Sequence, residues 1–161
     1  MDKNLKGLKP EAVWKHFAEI CNIPHPSHEE DAIRAYIVKW AEEKGLEHKI
    51  DEAQNVYVYR PATPGMEDRK GIILQAHTDM VPQKNNDKEF DFSTDPIEAY
   101  VDGEWVTANG TTLGGMTFKS YMIEMTQNSH NEITFCYYVF ECGEGILSFV
   151  LLFVTTKNNG P

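Results

Sequence analysis

Apolar positions recur at helical spacing twice near the start of the chain and at strand spacing after that. Between Pro10 and Cys21 they fall at Val13, Trp14, Phe17 and Ile20, which gives a helix one buried stripe. Pro10 suits the first helical turn, where a missing N–H leaves no bond unmade, so a helix is expected over 10–21. The stretch I-P-H-P-S at 23–27 stops it. Ser27 and Glu30 then stand at the Ser-x-x-Glu spacing of a capping box. The helix they open is expected over 28–44, with Ile33, Ile37 and Trp40 inward and Gly45 as its stop. His25 and His28, at the junction of the two helices, read as solvated turn residues.

Beyond Gly45, Leu46–Ile50 and Val56–Tyr59 read as strands flanking the turn-forming D-E-A-Q-N. R-P-A-T-P-G-M-E-D-R-K at 60–70 is a polar connection leading to the short apolar run Gly71–Gln75. That run has the composition of a buried strand, expected over 71–76 at the centre of a sheet. After a polar stretch at 82–95, Ile97–Tyr100 and Glu104–Thr107 read as a hairpin around V-D-G. Helices followed by strands around one buried strand predict an α/β fold, a mixed sheet with flanking helices. From residue 116 the periodicity fails. Two apolar runs, 134–140 and 146–154, show no polar alternation; they fit buried strands or, left exposed, aggregation-prone segments. The expected organisation is one unit over 1–115 and a divergent tail over 116–161.

Composition narrows the function classes. The length, 161 residues, is one domain's worth and enough to bury a core. With 15 Lys+Arg against 25 Asp+Glu, the net charge is −10, and such a surface offers nucleic acid or an anionic membrane no counterion release. The three cysteines, Cys21, Cys136 and Cys142, are an odd count without framework spacing, which suits a reducing compartment. M-D-K-N-L-K-G-L-K-P lacks the apolar core of a signal peptide. The run 146–154 falls short of the ~20 residues of a spanning helix, so a cytoplasmic location is expected, with neither nucleic acid nor membrane as partner. A Ser or Cys hydrolase has little support: there is no G-x-S-x-G elbow, and Cys21 and Cys136 lie in apolar patterns that suit packing.

The chemistry concentrates in I-I-L-Q-A-H-T-D-M-V-P-Q at 72–83. Residues two apart on a strand point to the same side, so His77 and Asp79 project together from its end. Ligands gather at the carboxyl ends of strands in open α/β sheets. An imidazole with a nearby carboxylate is a metal-ligand pairing, in which the carboxylate fixes the tautomer. A surface histidine beside a loop-starting aspartate has the same spacing, and spacing alone leaves both readings open.

The segment L-Q-A-H-T-D-M-V-P-Q-K-N-N-D at 74–87 resembles the metal-site segment of the bacterial cytosolic non-specific dipeptidases, also called aminoacyl-histidine or Xaa-His dipeptidases, which are two-zinc metallopeptidases. I-C-N-I-P-H-P-S-H-E-E at 20–30, the 60–70 connection, D-P-I-E-A-Y-V-D-G-E-W-V at 95–106 and G-T-T-L-G at 110–114 carry the same resemblance, which covers Leu8 to Gly114. It implies the N-terminal portion of a catalytic domain that hydrolyses dipeptides between two divalent metal ions, zinc foremost, with cobalt or manganese as alternatives. It also implies His77 as a metal ligand, Asp79 as the active-site residue that supports it, a dipeptide as substrate, and a homodimer in the full-length form. In such chemistry the metals polarise the scissile carbonyl and lower the pKa of the attacking water, while a Glu takes its proton.

The pattern breaks after Gly114. The family continues T-T-L-G-A-D-N-G, whose Asp bridges the metals; here the residues are Thr111-Thr112-Leu113-Gly114-Gly115-Met116-Thr117. Met116 holds the bridging position, and a thioether does not bridge two such dications. Glu141 and Glu144 in E-C-G-E-G are not the adjacent pair the family uses, and neither Cys142 nor His130 is a better replacement ligand. Loss of one nucleotide from codons for Gly-Ala-Asp-Asp can yield Gly-Gly-Met-Thr (GGN GCG GAT GAC without its C reads GGN GGG ATG AC), so the tail is expected to be out of frame or disordered. A genuine truncated relative and a real but unfamiliar packing are the alternatives. The expected function is metal-dependent hydrolysis of dipeptides of broad specificity, including Xaa-His, with this chain a truncated form whose own activity the sequence leaves open. The alternative is a non-catalytic fragment or scaffold that associates with a full-length relative.

Overall fold

The computed structural model describes residues 5–62, 64–68, 71–114 and 149–155. The first helix, α1, spans Glu11–Cys21. Pro10 is its N-cap, in extended conformation, and the side-chain amide of Asn22 donates to the Ala18 carbonyl at 2.9 Å to cover one carbonyl of the last turn. The second, α2, spans Asp31–Glu43. It stops as expected at Gly45, whose φ of +64° only glycine adopts freely. Gly45 N–H donates to the Glu42 carbonyl and Leu46 N–H to the Ala41 carbonyl, the paired bonds of a Schellman ending.

At its start α2 departs from expectation. Glu30 is the N-cap, and no side chain caps the helix. Ser27 lies with His28 in a turn closed by the Glu29 N–H on the Pro26 carbonyl; His28 has φ +77°, and Glu30 Oε1 accepts from the His28 N–H at 2.8 Å. The glutamate reaches back as in a capping box, but to His28. The reason is a long-range backbone pairing: Pro26 forms a parallel bridge with Met80, and the Ser27 N–H donates to the Met80 carbonyl. His25, expected to be solvated, is only 2% exposed, and its Nδ1 lies 2.5 Å from the Ile23 carbonyl. His28 is exposed.

Six strands follow among the described residues: β1 (Glu47–Ile50), β2 (Val56–Pro61), β3 (Ile72–His77), β4 (Ala99–Asp102), β5 (Trp105–Ala108) and β6 (Phe149–Thr155). Four form a mixed sheet in the order β1-β2-β6-β3, with β2 parallel to β6 and the other neighbours antiparallel. The strand expected at the centre, β3, is therefore at one edge among the described strands. A distant segment, β6, enters between it and β2, and no local pattern announces that insertion. One face of β3 packs inward through Leu74 and Ala76, whereas Ile73 on the other is 57% exposed. Strands β4 and β5 form a separate hairpin, with Asp102 opposite Trp105 across Gly103 and Glu104. Apart from 149–155, the residues after Gly114 lie outside the described ones. These include Met116, His130, Cys136, Glu141, Cys142 and Glu144, the apolar run 134–140, and most of the tail over 116–161.

Two apolar clusters hold these elements. Ile20, Ile33, Ile37, Trp40 and Ala41 of the helices pack on Val56, Val58 and Ala76 of the sheet. Leu5 with Phe17, Ala18 and Cys21 of α1 packs on Met80, Ile97 and Ala99, with Val106 and Ala108 alongside. Tyr36 Oη donates to Glu19 Oε2 at 2.8 Å and ties α2 to α1; burial, then that bond, pushes the phenol well above its ordinary value.

The turn between β1 and β2 is organised by Asp51. Its carboxylate accepts from Asn55 Nδ2 at 2.9 Å, the Asn55 N–H at 2.8 Å and Tyr57 Oη at 2.8 Å. These donors, the Asn55 amide foremost, hold the carboxyl below the usual aspartate range. A lowered folded value means that the stabilisation is complete above the unfolded value of about 3.9 and is lost as pH falls through the lower, folded value. A carbon-13 titration of the Asp51 carboxyl is expected to show its midpoint below that of an unfolded-chain aspartate. Asp51→Asn is expected to loosen the turn at neutral pH and to remove its sensitivity to acid.

Candidate functional site

Strand β3 ends at His77, and the next three residues, Thr78, Asp79 and Met80, are all buried. The chain stays extended there because segment 25–27 runs beside it: Met80 N–H donates to the His25 carbonyl at 2.9 Å and Ser27 N–H to the Met80 carbonyl at 3.1 Å. The alternation of β3 brings the side chains of His77 and Asp79 together at its end. His77 Nδ1 lies 2.9 Å from Asp79 Oδ1 and 2.9 Å from the Asp79 carbonyl. Both neighbours are acceptors, so in the neutral ring the proton is on Nδ1 and the lone pair on Nε2. The His77 side chain is 38% exposed and Asp79 only 2%. Among the described residues no hydrogen bond engages His77 Nε2.

Asp79 has its second oxygen occupied as well. Ser27 Oγ donates to Oδ2 at 2.6 Å, from 52 positions away in the chain. One oxygen of the carboxylate thus meets the imidazole and the other the hydroxyl. Sequence reasoning did not find Ser27 as part of this cluster, because its spacing to Glu30 assigned the hydroxyl to a helix cap. Nor did it place His25, buried beside the same bridge, or Thr78, which is 7% exposed between the two site residues.

The T-T-L-G stretch is carried to the same place by the chain that follows Asp79. Thr112 N–H donates to the Gln83 carbonyl at 2.8 Å and Thr112 Oγ1 to the Val81 carbonyl at 2.7 Å. Lys84 and Thr111 form an antiparallel bridge, and Asn85 N–H donates to the Gly110 carbonyl. Farther out, Asn109 Nδ2 at 2.6 Å and Lys88 Nζ at 3.0 Å both reach Glu98 Oε2 and hold that carboxyl below its ordinary value. Gly114 thereby comes so close to Met80 that an added Cβ would stand 2.6 Å from Met80 Cγ and 2.9 Å from its Cβ. Neither atom is the free end of a side chain, so the backbone would have to move. Gly114→Ala is expected to cost about 1–3 kcal/mol, read as a lower thermal midpoint.

The described residues fit a metal only in part. His77 presents one imidazole nitrogen in the right tautomer, with the carboxylate partner that metal-binding histidines use. Among the described residues, no group of three His, Cys, Asp or Glu side chains is placed to hold an ion, whereas zinc takes at least three protein ligands. Glu141, Cys142, Glu144 and His130 are outside the described residues. No helix among the described residues is long and apolar enough to cross a membrane.

Comparison with known proteins agrees with the motifs. No protein-family profile matches the chain. The cytosol non-specific dipeptidase of Escherichia coli (strain K12) is 56% identical over 110 residues, covering 68% of this chain and 23% of that protein. The crystal structure of aminoacylhistidine dipeptidase from Vibrio alginolyticus matches with a TM-score of 0.78 at 40% sequence identity, covering 98% of this chain and 30% of the other. The chain thus spans well under two thirds of the length of either relative. In sequence and in its mixed α/β fold, this chain is similar to the N-terminal part of the bacterial cytosolic non-specific, or aminoacylhistidine, dipeptidases.

Proposed function

We propose that His77 and Asp79 belong to a metal site for hydrolysis of dipeptides of broad specificity, Xaa-His included, in the cytosol. The observation that carries this reading is the His77 ring fixed through Nδ1 by the buried Asp79 carboxylate, with Nε2 left for a metal. His77 is the ligand and Asp79 the active-site residue that orients it. His77 would hold one of two divalent ions, zinc foremost and cobalt or manganese as alternatives, which when bound would polarise the peptide carbonyl and lower the pKa of the attacking water. The names of the relatives support the dipeptide as substrate. A homodimer, with no nucleic-acid or membrane partner, belongs to the full-length form.

A second reading has its own observation. Among the described residues His77 and Asp79 have no further ligand group beside them, and Met116 occupies the position of the family's bridging Asp. On that reading the chain is a non-catalytic scaffold that associates with a full-length relative, and 116–161 is a divergent tail.

Purified chain, incubated with alanyl-histidine and added zinc, cobalt or manganese, separates the two. The first reading predicts release of free histidine that a chelator stops, that His77→Ala abolishes and that Asp79→Asn lowers about 10–100-fold. The scaffold reading predicts no release with any of the three metals, together with retention of the chain on a column carrying the full-length relative.

A further inference from the structure

Ser27 stands at capping-box spacing from Glu30, yet its hydroxyl takes no part in capping α2. It donates at 2.6 Å to Oδ2 of Asp79, and its other contact, to the Met80 carbonyl at 3.5 Å, is much longer. The bond is made where water has little access, since Asp79 is 2% exposed. Ser27 is held in place by backbone bonds at the bridge between Pro26 and Met80. The hydroxyl is therefore delivered to the carboxylate by main-chain geometry rather than by a mobile side chain.

We propose that Ser27 is a positioning residue, which sets the orientation and tautomer of the His77 ring by fixing the Asp79 carboxylate. A carboxylate can turn about its Cβ–Cγ bond. With Oδ2 tied to Ser27, Oδ1 stays where it meets His77 Nδ1. Without that tie, a buried oxygen loses its donor, which is costly where water cannot replace it. Rotation to find another donor takes Oδ1 away from the ring. The imidazole then retains only the Asp79 carbonyl as acceptor for Nδ1–H, and the tautomer protonated on Nε2 becomes accessible. That tautomer has no lone pair on the outward nitrogen. The consequence for metal binding rests on the reading of His77 as a ligand; the control of the ring does not.

The test uses the full 161-residue chain, labelled with nitrogen-15, and long-range proton–nitrogen correlations of the His77 ring at a pH where it is neutral. The wild-type ring is expected to carry its proton on Nδ1. Ser27→Ala is expected to give a mixture of tautomers, Ser27→Thr the wild-type pattern, and Ser27→Cys, a weaker donor of similar size, an intermediate one. Titration with cobalt ion alone is expected to show about tenfold weaker binding for Ser27→Ala and little change for Ser27→Thr. A folded Ser27→Ala chain with the wild-type tautomer overturns the proposal. If that variant does not fold, a wild-type tautomer in Ser27→Cys overturns it equally. Should the tautomer shift as expected while even the wild-type chain binds no cobalt, Ser27 keeps its positioning role and the ligand reading of His77 fails instead.

Discussion

The Asp79 carboxylate is the junction on which the described site depends. One of its oxygens meets the imidazole at the end of β3 and the other the hydroxyl of Ser27 at the turn between the helices. A carboxylate this deeply buried must be satisfied on both oxygens. That requirement ties the turn between the two helices to the end of the sheet, and the backbone bonds between segment 25–27 and Met80 reinforce it. Met80 then serves three neighbours: its main chain pairs with 25–27, its side chain fills the cluster under α1, and its Cβ and Cγ define the space that Gly114 must leave empty.

Much of this was legible from local pattern. Helical spacing located α1 and α2 to within a few residues, because a stripe of apolar side chains is a property of the segment itself. Gly45 marked the end of α2 because a left-handed residue is needed there whatever the helix packs against. The V-D-G signal found the hairpin, with β4 beginning at Ala99 and β5 at Trp105, somewhat later than the apolar runs indicated. The H-x-D spacing brought His77 and Asp79 to one side of the chain, since alternation along a strand is equally local.

The misreadings share one cause: each turned on a partner far away in sequence. Ser27 has the right neighbour for a cap at Glu30, but an acceptor 52 residues on takes its hydroxyl. His25 lies in a Pro-rich turn of a kind usually solvated, and pairing of that turn with Met80 buries it. The apolar composition of β3 suggests a central strand, yet its place in the sheet is decided by β6. Composition records how much apolar surface a strand carries, and strand order is a matter of what else arrives.

Helix α1 is shared between two apolar clusters, with Ile20 directed to the sheet and Phe17, Ala18 and Cys21 to the β4–β5 hairpin. An isolated two-stranded hairpin is marginal in water, and the chain leading into this one is tied to α1 where Ile97 N–H donates to the Cys21 carbonyl. The two clusters therefore have a rigid rod in common, and neither can open without loosening the other. Sheet, hairpin and helix should exchange their amides as one cooperative unit. The turn carrying Ser27, which begins where that rod ends, belongs to the same unit.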